Sequence, residues 1–380
     1  MSEKTVYLDN AASRRVKPEI LEEYVTDLKE IYANPASGHE AGRRASEVIL
    51  KSKDILADVF SALPEEIIFT SGGTESINLA LKGLKGGYPR IPARILISRG
   101  EHEAVREAAK ALHWETFETA LDPDSAAVDE EELIRTISDH SIGIVSLIVV
   151  SNETGAVNRV ENLTAAIREI SPRTKIHLDA VQAVGKIDLN FSRLKCDLMS
   201  VSGHKIGAPK GVGLLLRKKK TLLEPLIHGG GHQSGLRSGT ENAPLFKAMA
   251  GAAEDAVNGL ADNYQRCLQL KELFLHTLNK VTGEYILLSP SEAVPQIISL
   301  TFPHLRGETL VNAASARGIY ISHGSACSSI HGENSALSAL GLSEREVLGA
   351  VRISLTEDLT DEDIVLAAEI IGEEYLKWRL

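Results

Sequence analysis

The chain has 380 residues, 43% of them hydrophobic and 24% charged, with a formal net charge of −11, a balance that predicts a fully folded chain of one large and one small packed unit. This acidic charge argues against nucleic acid or an anionic membrane surface as a partner, because both attract clustered positive charge. The cysteines show neither a disulfide framework nor CxxC spacing, and neither a leader sequence nor a membrane-length apolar run is visible, so we expect a cytoplasmic protein without a membrane segment.

Apolar runs alternate with helical periodicities through the first two thirds of the chain, a pattern typical of α/β proteins. The runs are continuous, which predicts strands covered by helices on both faces, as in a largely parallel sheet. In chain order we predict strands at 67–70, 93–98, 142–150, 175–179, 198–202 and 212–217, and helices that include 47–60, 77–84 and 162–170.

After about Glu254 the pattern changes to a long helix, two strands at 297–302 and 319–322, and further helices. This arrangement predicts a smaller α+β unit. Capping boxes mark its last helices, one at Ser343 with Glu346 and a weaker one at Thr360 with Asp363.

A lysine follows the predicted strand 198–202 directly, in the sequence Ser202-Gly203-His204-Lys205. Ligands bind at the carboxyl edge of open α/β sheets. Partial desolvation there lowers the pKa of a lysine, so that its neutral amine can attack a carbonyl. Considered alone, such a lysine is more often an exposed surface residue.

A carboxylate, Asp179, ends the predicted strand 175–179 in the same way. Such a carboxylate can pair with a protonated pyridine nitrogen and so keep pyridoxal phosphate (PLP) an electron sink. The alternative is a helix N-cap for the following segment.

A turn of small residues, with Gly73 and Thr74 at its centre, leads from strand 67–70 into a helix. Backbone N–H groups at such a helix start can surround a phosphate, although the order of residues is not that of a P-loop. The turn, His102, Asp179 and Lys205 follow successive strands. Together they predict an enzyme that holds PLP as a Schiff base on Lys205.

The chain resembles the cysteine desulfurase family of NifS and IscS type, among the class V aminotransferase-like PLP enzymes. The motifs that carry the resemblance are Tyr7-Leu8-Asp9-Asn10-Ala11-Ala12, Asn34-Pro35, Gly72-Gly73-Thr74-Glu75-Ser76, Glu101-His102, Asn152-Glu153, Asp179-Ala180-Val181-Gln182, Ser202-Gly203-His204-Lys205, 229–242, Gly324-Ser325-Ala326-Cys327 and Arg352-Ile353-Ser354.

The resemblance implies the type I aminotransferase-like α/β fold. A large PLP-binding domain, 13–254, would contain a mainly parallel seven-stranded sheet. Residues 1–12 and 255–380 would form the smaller α+β domain, which would carry the catalytic cysteine loop.

The resemblance also implies the role of each site residue. Lys205 would be the Schiff-base lysine and would take the substrate's Cα proton. Asp179 would pair with the pyridine nitrogen, Gln182 would contact the ring hydroxyl, and His102 would stack on the ring and assist proton transfer. The remaining cofactor contacts would come from Gly73, Thr74, Asn152, Ser202 and His204, with Thr240 contributed by the partner subunit of a homodimer.

For the substrate, L-cysteine, Arg352 matches the arginine that clamps the carboxylate, with Asn152 and Asn34 nearby. The thiolate of Cys327 would attack the substrate's sulfur and pass it on as a persulfide. Its glycine and serine neighbours favour an exposed loop over a buried, inert cysteine. The sulfur acceptor would be a protein, such as an iron-sulfur scaffold, or a pathway to thio-cofactors or tRNA.

Other interpretations stay open. A selenocysteine lyase shares the fold and cofactor, a non-catalytic persulfide carrier or regulatory partner could keep the fold, and a plain aminotransferase would need no Cys327. We expect no metal at His228 and His232, because three glycines separate them and no acidic partner has the required spacing.

Overall fold

The computed structural model describes residues 4–323 and 336–379. Over these residues the helices, numbered in chain order, are α1 Pro18–Glu30, α2 Glu40–Phe60, α3 Gly73–Gly87, α4 Glu103–Lys110, α5 Glu130–Asp139, α6 Val160–Ile170, α7 Ala243–Asn258, α8 Leu260–Val281, α9 Gly307–Ala316, α10 Ala336–Ala339, α11 Glu344–Leu348 and α12 Asp361–Trp378. The strands are β1 Val6–Tyr7, β2 Ile67–Thr70, β3 Arg94–Ser98, β4 Glu115–Thr119, β5 Ile144–Ile148, β6 Lys175–Asp179, β7 Leu198–Ser202, β8 Gly213–Arg217, β9 Ile286–Leu287, β10 Ile297–Thr301, β11 Ile319–Tyr320 and β12 Ala350–Ser354. Short 3₁₀ helices occur at Pro64–Glu66 and Gly203–Lys205.

The largest sheet has seven strands in the order β2-β8-β7-β6-β5-β3-β4. Strand β8 runs antiparallel to both of its neighbours, and the other pairs are parallel. Every residue of β5 and β7 is buried, because these apolar strands lie inside the sheet with helices on both faces. The mainly parallel seven-stranded α/β fold is therefore confirmed.

Strand β4, which the sequence did not predict, lies at one edge of this sheet. Its sequence, ETFET, lacks an apolar run, and most of its side chains are exposed or half-buried. An edge strand pairs on one side only and tolerates polar residues, so the hydrophobic pattern carried no signal for it.

The helices extend beyond their predicted cores. Helix α2 begins at Glu40, where His39 accepts a hydrogen bond from the Gly42 N–H and caps it. The long helix that we predicted after about Glu254 begins at Leu260, because α7 continues to Asn258. Both capping boxes are confirmed at the starts of α11 and α12.

Two smaller sheets lie beside the large one. Strand β10 pairs with β9 and β12 in an antiparallel sheet, and β1 pairs with β11 in parallel. The N-terminal segment connects these two sheets through a parallel β-bridge between Asp9, just after β1, and Ser354 at the end of β12. A separate hydrophobic cluster, which includes Phe274, Ile371 and Tyr375 of α8 and α12, supports these sheets.

The parallel strands β3, β5, β6 and β7 end at the same edge of the large sheet. The segments that follow them therefore converge, and β12 of the antiparallel sheet contributes to the same region through Arg352. Among the described residues, no helix is long and apolar enough to cross a membrane.

Candidate active site

Lys205 lies in the 3₁₀ turn that follows β7. A Cβ on Gly203 would lie 2.8 Å from Met249 Sδ and 2.9 Å from Val212 Cγ1, so this tight turn requires glycine. The Lys205 Nζ donates hydrogen bonds to the carbonyl oxygens of Ala11 and Ala12, at 2.7 and 2.8 Å. The beginning of the chain thus holds the amine over the sheet edge.

Asp179 ends β6 and is 2% exposed. Its Oδ1 accepts a hydrogen bond from the Val181 N–H at 3.0 Å. Burial raises the pKa of Asp179, although the charges of His102 and Lys205 and the Val181 N–H act in the opposite direction. A cationic group that entered beside this carboxyl would stabilise its charged form.

His102 caps helix α4, because its Nδ1 accepts a hydrogen bond from the Ala104 N–H at 3.1 Å. In a neutral imidazole with Nδ1 as acceptor, Nε2 carries the proton. Burial lowers the pKa of His102, which favours this neutral form. The ring therefore has one defined tautomer and a donor on Nε2.

The turn into α3 is packed tightly against the turn after β6. A Cβ on Gly73 would lie 2.8 Å from Val181 Cγ2. Thr74 and the start of α3, where a helix leaves N–H groups without partners of its own, border the same cavity as Ser202 and His204. Burial, followed by the charges of Lys205 and Lys210, lowers the pKa of His204 to about 4, and its Nδ1 lies 3.3 Å from Ser13 Oγ.

Arg352, in the middle of β12, is 2% exposed. Its Nη1 donates to the Asn152 carbonyl at 2.8 Å, and its Nη2 pairs with Asp9 Oδ1 at 2.9 Å. Its Nε is buried and has no hydrogen-bond partner among the described residues. A guanidinium held in this way can receive a carboxylate from the cavity.

These side chains surround a cavity of about 290 Å³. It contains a buried carboxylate, a lysine amine, a helix N-terminus with hydroxyl groups and an arginine, and this set matches the ring nitrogen, aldehyde and phosphate of PLP and a substrate carboxylate. The predicted site residues that line it are Gly73, Thr74, His102, Asn152, Asp179, Gln182, Ser202, His204, Lys205 and Arg352.

Two predicted site residues do not line this cavity. Asn34 is exposed, and its Oδ1 accepts a hydrogen bond from the Ala36 N–H at 2.9 Å. Thr240 is also exposed. The predicted nucleophile, Cys327, lies outside the described residues. No group of three or more potential metal ligands occurs in the part of the chain that the structure describes.

Three residues beside the cavity are not among the predicted site residues. Asp9 pairs with Arg352, Lys186 donates to Gln182, and Glu101 lies at 5% exposure beneath the cavity. Burial, followed by the charge of Asp179, raises the pKa of Glu101 well above its usual value and so favours the neutral form of its carboxyl. An acidic residue in the short turn after the apolar strand that ends at Ser98 was the available signal for Glu101.

The fold and the site together define a class of protein, the PLP-dependent enzymes of the aminotransferase fold. The chain belongs to the Aminotransferase class-V family, which it matches over residues 6–366. It is 34% identical to cysteine desulfurase IscS of Methanosarcina thermophila, over 99% of this chain and 93% of the relative.

Solved structures agree with this assignment. A NifS-like protein superposes with a TM-score of 0.91 at 34% identity, over 97% of this chain and 99% of that one. A structure described as SspA in complex with cysteine has a TM-score of 0.80 at 30% identity, over 92% of this chain and 99% of that one.

Proposed function

We propose that the chain is a cysteine desulfurase, which converts L-cysteine to L-alanine and transfers the sulfur to Cys327. The observation that carries the proposal is the placement of Lys205 and Arg352, from different sheets, on one cavity. An amino acid bound there would direct its amino group to the lysine side and its carboxylate to the arginine. The cysteine desulfurases and the cysteine complex among the similar proteins support this substrate.

In this proposal the cofactor is held by residues at the edge of the large sheet. Asp179 pairs with the protonated ring nitrogen, His102 stacks on the ring, and Gln182 donates to the ring oxygen. The phosphate is bound by the start of α3 at Gly73 and Thr74, by Ser202 and His204, and by Thr240 of the partner subunit.

Bound PLP supplies an electron sink for the charge that develops when the substrate's Cα proton is removed. Lys205 takes this proton, and Ala11 and Ala12 orient its amine through their carbonyl oxygens. Arg352 holds the substrate carboxylate, with Asn152, which lines the same cavity, as a further contact. Arg352 lines the cavity and is only 2% exposed, so a carboxylate that pairs with its guanidinium there is largely shielded from water.

The Cys327 thiolate then attacks the substrate's sulfur. A new S–S bond forms, the substrate's carbon-sulfur bond breaks, and its electron pair stays on the carbon skeleton, which is protonated to alanine. The enzyme keeps the sulfur as a Cys327 persulfide, and no external oxidant is needed. A thiol acceptor, a protein such as an iron-sulfur scaffold, receives it by attack on the persulfide's outer sulfur.

The same proposal includes a homodimer. Thr240 is exposed and lies outside the cavity of its own chain, as expected for a residue that completes the partner's phosphate site. Exposed apolar side chains at Leu226 and Ile227 lie close to it in the chain's fold, since Ile227 bridges to Arg237. A second copy that covered this surface would bury them.

We place the enzyme in the cytoplasm, because persulfide chemistry requires Cys327 as a reduced thiol. Cys196 and Cys267 are both buried and form no disulfide within the part of the chain that the structure describes, as expected in a reducing compartment.

The experiment that tests the sulfur-transfer step compares Cys327→Ser with wild type. Cys327→Ser should keep the absorbance of bound PLP, because none of the cavity residues changes, and should lose alanine formation from L-cysteine by at least about a hundredfold. Cys267→Ala is the matched control, since burial raises the pKa of that thiol to about 12 and makes it a poor nucleophile. Undiminished alanine formation by Cys327→Ser would refute the proposed nucleophile.

A further inference from the structure

Lys186 is a half-buried lysine in the turns that follow β6, four residues after Gln182. Its Nζ donates to Gln182 Oε1 at 3.2 Å. Burial, followed by the positive charges of Arg14 and Lys205, lowers the pKa of Lys186 to about 7. Keeping an amine in such surroundings costs free energy, and none of the roles proposed above uses it.

The Gln182 side chain is 4% exposed and has hydrogen-bond partners on both sides of its amide. Its Nε2 donates to the Ala11 carbonyl at 2.8 Å, while its Oε1 accepts from Lys186. The Ala11 carbonyl can only accept, and the charged form of the Lys186 amine can only donate. A reversed amide would bring two oxygens together at Ala11 and two sets of N–H groups together at Lys186, so the two neighbours determine the same orientation.

This orientation decides what Gln182 offers to the cavity. An amide nitrogen carries two hydrogens, and Ala11 takes one of them. Gln182 lines the cavity together with Lys205 and Asp179, so its second N–H is the polar hydrogen that it can present there. The Ala11 carbonyl also accepts from the Lys205 Nζ at 2.7 Å, which ties the amide to the cofactor-binding lysine.

We propose that Lys186 is a positioning residue that keeps Gln182 a hydrogen-bond donor to the ring oxygen of bound PLP. This inference rests on the proposed cofactor contact of Gln182. A donor stabilises the anionic ring oxygen and withdraws electron density from it, so the nitrogen that links Lys205 to the cofactor holds its proton less tightly. Without Lys186 the amide loses one of the two partners that orient it, and only the contact with the Ala11 carbonyl remains.

The test is Lys186→Met, which keeps a long apolar side chain and removes the donor. We expect the pH midpoint of the absorbance change of the Lys205-linked cofactor to rise by about one unit. We also expect PLP to bind roughly tenfold more weakly, as for the loss of one hydrogen bond, measured by absorbance titration of the cofactor-free protein. An unchanged midpoint would overturn the inference.

The same substitution in a Gln182→Ala variant shows whether Lys186 affects the pH midpoint through Gln182. In Gln182→Ala, the further change Lys186→Met should leave the midpoint where it is, because the amide that it orients is gone. An equal rise in both backgrounds would mean that the lysine's charge acts directly on the cofactor, contrary to the proposal.

Two further variants act as controls. Lys186→Gln keeps a neutral N–H donor and should retain a midpoint close to wild type, whereas a rise as large as in Lys186→Met would contradict the positioning role. Lys271→Met removes another lysine whose pKa burial lowers, on α8, and should not move the midpoint.

Wild-type behaviour separates this inference from the proposed function. If wild type binds PLP and forms alanine while Lys186→Met keeps its midpoint, only the role of Lys186 fails. If wild type binds no PLP, both fail. Thermal unfolding of each variant without cofactor reports whether it is folded.

Discussion

Burial favours the neutral form of the histidines near the site. His177 of β6 is buried between Ser146 of β5 and Ser200 of β7, with 2.8 Å from each hydroxyl to a ring nitrogen. Burial lowers the pKa of His177 to about 3, and it also lowers the pKa values of His102 and His204. A proton added to His177 would have to be accommodated inside the sheet, next to the strand end that carries Asp179.

This burial predicts how stability depends on pH. The native pKa of His177, about 3, lies below its ordinary value of 6.5, so the native state binds fewer protons between these values. The stabilising contribution is complete above pH 6.5 and is lost as the pH falls toward 3. His177→Gln, which cannot be protonated, should reduce the loss of unfolding free energy between about pH 6.5 and about pH 4.5 by roughly 2–3 kcal/mol.

Chemical denaturation at a series of pH values measures this difference. The slope of the unfolding free energy against pH is the quantity to compare, because the substitution also alters packing, and that effect is the same at all pH values. If the unfolding free energies of His177→Gln and wild type changed with pH at the same slope, the low pKa assigned to His177 would be contradicted.

Individual residues could be predicted where the chain itself defines their position. Asp179 ends an apolar strand and Lys205 lies in the turn after another, so sequence order placed both at the ligand-binding edge, and both line the cavity. The pair of Asp9 with Arg352 could not be found in this way, because it joins distant parts of the chain across a bridge between strand ends. Lys186 could not be predicted for a related reason. Its role depends on the orientation of the Gln182 amide, and that orientation is known only from the contact between Gln182 and the distant Ala11 carbonyl.

At the scale of elements, the carboxyl ends of parallel strands position the chemistry. Strands β2, β6 and β7 have the predicted bounds, because each is a short apolar run between turn residues. The close approach of α3 to the turn after β6 depends on packing that sequence patterns do not describe.

Gly73 tests this close approach. In Gly73→Ala the new Cβ would lie 2.8 Å from Val181 Cγ2, so either the Val181 side chain or the start of α3, at the proposed phosphate site, must shift. We expect PLP affinity to fall about tenfold, consistent with overpacking that costs about 1–3 kcal/mol. Equilibrium titration with PLP measures it.

The double variant Gly73→Ala with Val181→Ala removes the clashing methyl group and should recover most of the affinity. Gly38→Ala is the matched control, since a Cβ there meets nothing within 4 Å. Full affinity in Gly73→Ala alone would contradict the packing argument.

At the scale of the whole molecule, the site forms where the large sheet meets the chain's beginning and β12. The division into a large domain, 13–254, and a small domain, 1–12 with 255–380, stays a prediction. The separate cluster around α8 and α12 supports it, but Ala11 and Ile297 belong to the core beneath the large sheet. The composition and the hydrophobic pattern predict a large unit and a small unit. The packing across their boundary depends on tertiary contacts, which these patterns do not describe.

The proposed homodimer predicts a concentration-dependent assembly. Ile227→Glu places a charge on the exposed apolar surface near Thr240, and should shift the protein toward monomer and weaken PLP binding together. Sedimentation velocity over a range of concentrations measures the assembly. Leu287→Glu, at another exposed apolar side chain, is the control and should leave the assembly unchanged. A dimer of undiminished stability in Ile227→Glu would exclude this surface.

The most direct test of the central claim measures alanine released from L-cysteine by wild type and by Lys205→Ala, each incubated with PLP. Wild type should show the absorbance of lysine-bound PLP and form one alanine for each sulfur transferred. Lys205→Ala should show neither that absorbance nor turnover, because it lacks both the cofactor link and the group that moves the Cα proton. Alanine formation by Lys205→Ala at the wild-type rate, or its absence in wild type, would contradict the account.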